Sequence, residues 1–246
     1  MRYFLEVSYN GTGYSGFQSQ KNANTIQAEV QRALKILCKK EIILTGSSRT
    51  DAGVHAIQNF FHFEVDKDIT SKSVYNLNSI LPNAIAIKNL IKVNNDSHCR
   101  FDAISREYKY YIYKKKDPFL TDKAFYFPYT LDLGSMKTAA ELIKEYTDFT
   151  SFSKRNTQVK SFICHIKESK WIQEDECLVY NVKADRFLRG MVRALTATML
   201  KLGRDKISLE SFRKIIEAKE FALANFAVPA HGLFLFEVCF PNNYFK

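Results

Sequence analysis

The chain has 246 residues, 46% of them hydrophobic and 25% charged, with 36 Lys and Arg against 26 Asp and Glu for a formal net charge of +10. That length holds one large domain or two small ones around a real core, and the composition excludes a disordered or fibrous chain. No long charge-free apolar run occurs, so neither a membrane span nor a signal peptide is expected. Cys38, Cys99, Cys164, Cys177 and Cys239 are odd in number and contain no C-x-x-C pair, and no histidine stands at ligand spacing. Reduced thiols, a cytoplasmic address and no zinc site are the expectation. A basic, aromatic-rich chain points first to nucleic acid as partner, although many soluble proteins are basic for no specific reason.

In chain order, Tyr3 to Tyr9 alternates as a strand. In YNGTGYSGFQSQ, Gly11, Gly13 and Gly16 fit G-x-G-x-x-G, but Phe17 to Ala23 lacks the apolar period of the helix that a dinucleotide site needs. A flexible glycine-rich loop is expected instead. A helix capped at Asn24, with Gln27 three residues on, aligns Ile26, Val30, Leu34 and Leu37. Strands are expected at Ile42 to Leu44 and Ile57 to Val65, a short helix from about Ser71 ending before Pro82, and a strand from Ala84 to Val93. This is the β-α-β-β-α-β order of the split βαβ arrangement.

The remainder repeats that order. A tyrosine-rich strand spans Glu107 to Tyr113, and a helix is marked by Met136, Ala139, Ala140 and Ile143. Strands follow at Phe162 to Ile172 and Leu178 to Ala184, then a long helix aligning Leu188, Val192, Leu195, Met199 and Leu202. Ser208 caps a further helix, and Leu233 to Phe240 closes the chain as a strand. The fold class is α+β, with ferredoxin-like halves at 1–104 and 105–246 whose sheets join into one.

Three constellations could bear chemistry. In GSSRTDAGVHA, a loop between two expected strands, Asp51 stands two residues after Arg49 and four before His55. Asp beside Gly in such a connection is most often plain turn chemistry. A carboxylate beside a guanidinium favours its charged form and can act as nucleophile or base at a sugar carbon. No second acid lies in the loop, so a reaction there needs a leaving group that is never lost, or a base that is its own nucleophile. The tract from His98 to Lys116 interleaves Arg100, Phe101, Arg106, Tyr108 and Tyr110 with lysines, suited to stacking on bases and binding phosphates, or simply to a core strand with a basic end. Arg186, Arg189 and Arg193 fall at helical spacing, usually the wet side of an amphipathic helix. P-loop, G-x-S-x-G and zinc-deaminase patterns are absent.

YNGTGYSGFQSQ, NTIQAEVQRAL, SRTDAGVHA, NSILP, CRFDA with REYKY, DFTSF, FLRGMVR and GLFL occur in the order of one family. The chain resembles the TruA family of tRNA pseudouridine synthases from end to end, with RTDAGVHA the most specific match. The resemblance implies two α+β halves forming one continuous sheet with a central cleft. It also implies isomerisation of uridine to pseudouridine in the anticodon arm of tRNA, without cofactor or metal, by a homodimer. By position it assigns Asp51 as catalytic, whether by attack on C1′, by addition to the ring, or by removal of a sugar proton. It assigns Arg49 to holding the target nucleotide out of the stack, Tyr108 to stacking on the uracil, and Arg193 to partnering the carboxylate. Arg100 and the segment from Lys154 through Arg155 to Lys160 would touch the tRNA backbone. Ser48, Phe17, Asn83-Ala84 and Arg189-Gly190 depart from the usual family residues, and Arg189 bears on the choice of tRNA.

Overall fold

The computed structural model describes residues 1–70, 72–155, 159–221, 223–224 and 226–245. The expected helix start at Ser71, and residues 156–158 of the segment from Lys154 to Lys160, lie outside them. The fold is mixed α+β and forms two compact units, Met1–Ile104 with Phe234–Lys246, and Ser105–Leu233.

The first unit follows the order β1 (Arg2–Tyr9), α1 (Ile26–Cys38), β2 (Thr45–Gly46), β3 (His55–Glu64), α2 (Lys72–Ile80) and β4 (Ile85–Val93). β1 pairs antiparallel with both β3 and β4, and β2 adds to β3. β3 also pairs in parallel with β9 (Leu233–Cys239), through His55 with Phe234 and Ala56 with Leu235. The last strand thus counts with the first unit, whereas the division expected at 104 assigns it to the second. Phe60, Phe61 and Phe63 of β3 are all buried, so both faces of the strand are covered there. The helix cap is Thr25 rather than Asn24: its side chain accepts the N–H of Ala28.

The expected strand at Ile42 to Leu44 is absent, and the ladder begins at Thr45. Ile42 and Leu44 are buried and Ile43 is 83% exposed, so the alternation is real. The carbonyls of Ile42 and Leu44, however, accept from the side-chain amides of Gln31 and Gln27 on α1 at 3.2 and 3.0 Å. A helix side chain satisfies this main chain in place of a strand.

The second unit contains β5 (Ser105–Tyr113), β6 (Phe125–Tyr126), α3 (Leu133–Leu142), β7 (Ile166–Glu174), β8 (Cys177–Ala184), α4 (Met191–Gly203) and α5 (Leu209–Glu217). β8 lies antiparallel between β5 and β7, and the short unexpected β6 joins β5 in parallel. α3 is capped by Asp132, which accepts from the N–H groups of Gly134 and Ser135. α5 is capped by Ser208, as expected.

The expected long helix begins three residues late. Gly190 has φ +77°, outside the helical region, so α4 starts at Met191. Arg186 and Arg189 therefore precede the helix and share no face with Arg193. Leu188 is buried in the turn before it, which prolongs the apolar period beyond the helix itself. α4 is buried on nearly every side, Thr196 and Thr198 bonding back to the carbonyls of Val192 and Ala194.

One buried histidine gives this fold a pH dependence. His62 lies on β3 against the ring of Phe4, and the main-chain N–H of Cys99 donates to its Nδ1 at 3.3 Å. Burial, then the neighbouring His98 and Arg2, push its pKa from 6.5 down to about 4. Between those values the unfolded chain takes up a proton that the folded chain refuses, so stability falls as pH drops through this window. Above 6.5 both states are neutral there and the effect is gone. Thermal unfolding followed across this range should show a smaller acid-side fall for His62→Gln than for the parent. Equal slopes would remove His62 from the account.

Candidate active site

The loop bearing Asp51 is fixed from several directions, all within the first unit. Asn59, fully buried on β3, donates through Nδ2 to the carbonyl of Ser48 at 2.8 Å and to the hydroxyl of Tyr9 at 3.2 Å. The Tyr9 hydroxyl, holding that bond as acceptor, also shares one of 2.8 Å with Oγ1 of Thr50. A chain of polar groups thus runs from the middle of β3 to the residue before Asp51. Satisfied on every member, such a chain holds one geometry and resists alternatives. Past Asp51, the N–H of Val54 closes a turn onto the Asp51 carbonyl at 3.2 Å, with Gly53 at φ +77°.

The glycine-rich loop is the other half of this support. The N–H of Phe17 donates to the carbonyl of Thr50 at 3.1 Å, and the N–H of Gly53 to that of Tyr14 at 3.3 Å. The N–H of Gly11 donates to Nδ1 of His55 at 3.1 Å, which places the proton of that neutral ring on Nε2. His55 is buried and stacks on Phe234 at 4.5 Å. The contact is close enough to require glycine: a Cβ on Gly11 would lie 2.0 Å from the carbonyl oxygen of Val54. Phe17, buried, stacks on Phe61 at 4.5 Å and 9° and lies beside Tyr9. The loop expected to be flexible is instead bonded to the Asp51 loop on both sides of the carboxylate.

Arg49 is exposed and Asp51 half-buried, two residues apart on this brace. Arg100 is also exposed in the first unit, its guanidinium 5.5 Å from the ring centroid of Phe101.

In the second unit, Tyr108 and Tyr110 share one face of β5, and both are buried. Tyr110 is core: its ring is fully buried, its hydroxyl donates to the carbonyl of Pro229 at 2.7 Å, and burial raises its pKa. Tyr108 retains 9% exposure and meets Phe187 edge-on at 5.0 Å. Arg193, in the first turn of α4, donates through Nε and Nη2 to the carbonyl of Val228 at 3.0 and 2.7 Å. The paired bond fixes the guanidinium plane. Lys154 is half-buried: its N–H donates to the Arg189 carbonyl at 3.0 Å, and its stem runs against the Cα of Gly190. Arg155 and Lys160 are exposed.

Sequence reasoning missed Tyr9, Asn59 and His55 as supports. Asn59 had a signal, an amide beside Gln58 immediately before the apolar pair Phe60 and Phe61. Among the described residues no group of three or more His, Cys, Asp or Glu is placed to hold a metal ion, and no helix is long and apolar enough to cross a membrane.

The sequence profile described as tRNA pseudouridine synthase matches residues 6–102 and 145–241, with Asp51 in the first segment and Arg193 in the second. The chain belongs to the tRNA pseudouridine synthase family. It is 42% identical over 246 residues to the tRNA pseudouridine synthase A of Parabacteroides distasonis, covering 99% of this chain and 98% of the relative. The protein of that name from Azobacteroides pseudotrichonymphae is also 42% identical, over 100% of this chain and 99% of its own. That from Staphylococcus aureus is 35% identical over 99% of this chain and 92% of its own. Tyr108 lies between the two matched segments, so its assignment rests on REYKY alone.

Proposed function

We propose that the chain is a tRNA pseudouridine synthase that isomerises uridine to pseudouridine in the anticodon stem-loop of tRNA, with Asp51 acting on a uridine turned out of its helix. The reaction breaks the bond from C1′ to N1, turns the uracil within the site, and forms a bond from C1′ to C5. The proton on C5 leaves, N1 gains one, and no water enters the product. A single carboxylate suffices because the leaving group is retained, which answers the absence of a second acid in the loop. The observation that carries the reading is the bracing of the main chain on both sides of Asp51, since a reacting group held to a fraction of an ångström is what such chemistry needs.

Arg49, exposed beside it, holds the nucleotide out of the stack, a step that costs a few kcal/mol of unpairing and unstacking. Tyr108 stacks on the uracil, and Arg193 offsets the charge of the carboxylate. Arg100, Lys154, Arg155 and Lys160 bind phosphates. The halves divide the work, 1–104 bearing the aspartate loop and 105–246 the tyrosine strand and basic helix. The protein acts as a cytoplasmic homodimer without a cofactor.

The second reading, a silent RNA-binding protein, is disfavoured because binding alone does not call for a braced carboxylate. Incubation of an unmodified tRNA transcript with the protein, followed by mapping of pseudouridine, tests the proposal. The expected result is product in the anticodon arm. Tight binding without product would favour the silent binder.

A further inference from the structure

The turn from Ser97 to Asp102 is heavily built for a loop whose product is an exposed phenyl ring. The N–H of His98 donates to Oδ2 of Asp102 at 2.7 Å, and the N–H of Asp102 donates to the carbonyl of His98 at 3.0 Å. The Tyr244 hydroxyl donates to the same carboxylate oxygen. Nδ1 of His98 accepts the N–H groups of both Arg100 and Phe101, at 3.1 and 3.3 Å. The imidazole is packed edge-on against His62 at 4.5 Å, and against Phe101 at 4.2 Å. Phe101 nonetheless remains 73% exposed, with the Arg100 guanidinium 5.5 Å from its centroid. A ring left in water while its neighbours fix it is poorly explained by core packing. It has the two parts of a single-strand contact, an aromatic face and a cation beside it.

We propose that Phe101 is a stacking platform for an unpaired base of the bound RNA, with Arg100 on the adjoining phosphate. The inference rests on the reading of this chain as an RNA-acting enzyme and adds a base contact apart from the Asp51 loop. RNA is favoured as the occupant by charge, since the exposed cation adjoins the ring in a chain of net charge +10.

Equilibrium binding of an unmodified tRNA transcript tests it across a salt series. Phe101→Ala and Phe101→Leu should each weaken binding about tenfold, because leucine restores apolar bulk but no ring, while Phe101→Tyr should bind as the parent does. Phe101→Ala should leave the slope of log affinity against log salt unchanged, whereas Arg100→Ala should reduce it by about 0.7 to 0.9, the share of one phosphate. The chain has one tryptophan, Trp171, which is buried, so a tryptophan at position 101 reports directly. The emission of Phe101→Trp should fall as RNA binds, beyond any change in the parent. Parent-like affinity in Phe101→Leu, or an unchanged Phe101→Trp emission at saturating RNA, would overturn the platform. Pseudouridine formed by the parent alongside either result would leave the enzymatic reading standing. Absence of both product and binding in the parent would remove both.

Discussion

Replacing Asp51 with asparagine is expected to reduce pseudouridine formation by roughly four orders of magnitude or more, the scale on which loss of a reacting side chain is felt. The two side chains have the same shape, so the turn from Asp51 to Val54 and the bracing bonds of Thr50 and Gly53 are retained. What disappears is the carboxylate charge. Affinity for tRNA should be unchanged or slightly higher, since removing a negative charge lessens repulsion of a polyanion. Rate and binding together therefore separate a chemical role from a structural one. A parallel loss of both would indicate that Asp51 holds the fold of the loop instead.

Replacing Gly11 with alanine should damage the same site without touching the carboxylate. The added methyl would meet the carbonyl oxygen and carbon of Val54 at 2.0 and 2.7 Å, both main-chain atoms that cannot swing aside. Either the glycine-rich loop withdraws, breaking the bond from Gly11 to His55, or the stretch after Asp51 moves. Overpacking of this kind costs about 1–3 kcal/mol or more. An ångström of displacement at a reacting group costs about a hundredfold in rate. Gly13 is the internal control: a Cβ there meets nothing within 4 Å, so Gly13→Ala should remain near parental in rate and stability. Equal effects at Gly11 and Gly13 would show that the two loops do not depend on this contact.

The parts legible in sequence and the parts that were not differ for physical reasons. The order of elements was readable because burial imposes a period, and RTDAGVHA marked the loop because few sequences place those residues together. Periodicity reports burial, however, not hydrogen bonding. Ile42 to Leu44 alternates as a strand does, yet its carbonyls bond to glutamines of α1. Leu188 extends the apolar period of α4 although the backbone at Gly190 has φ +77°. The glycine-rich loop looked mobile because its partner is more than thirty residues away, and no local signal announces the bonds from Gly11 to His55 or from Phe17 to Thr50. The return of β9 to the first unit is a long-range pairing of the same kind. The loop around Asp51 could be picked out in sequence; the frame of Tyr9, Asn59 and His55 that holds it could not.

The account turns on whether one braced carboxylate moves a uracil from N1 to C5 linkage without releasing it. Tritium placed on C5 of the uridines of a tRNA transcript makes this visible, since the new bond expels that hydrogen to water. The parent protein should release one tritium per pseudouridine formed, with no free uracil and no change in RNA chain mass beyond the isotope, and Asp51→Asn should release none. Free uracil with abasic RNA would make the chain a hydrolase, and undiminished release by Asp51→Asn would contradict the account at its centre.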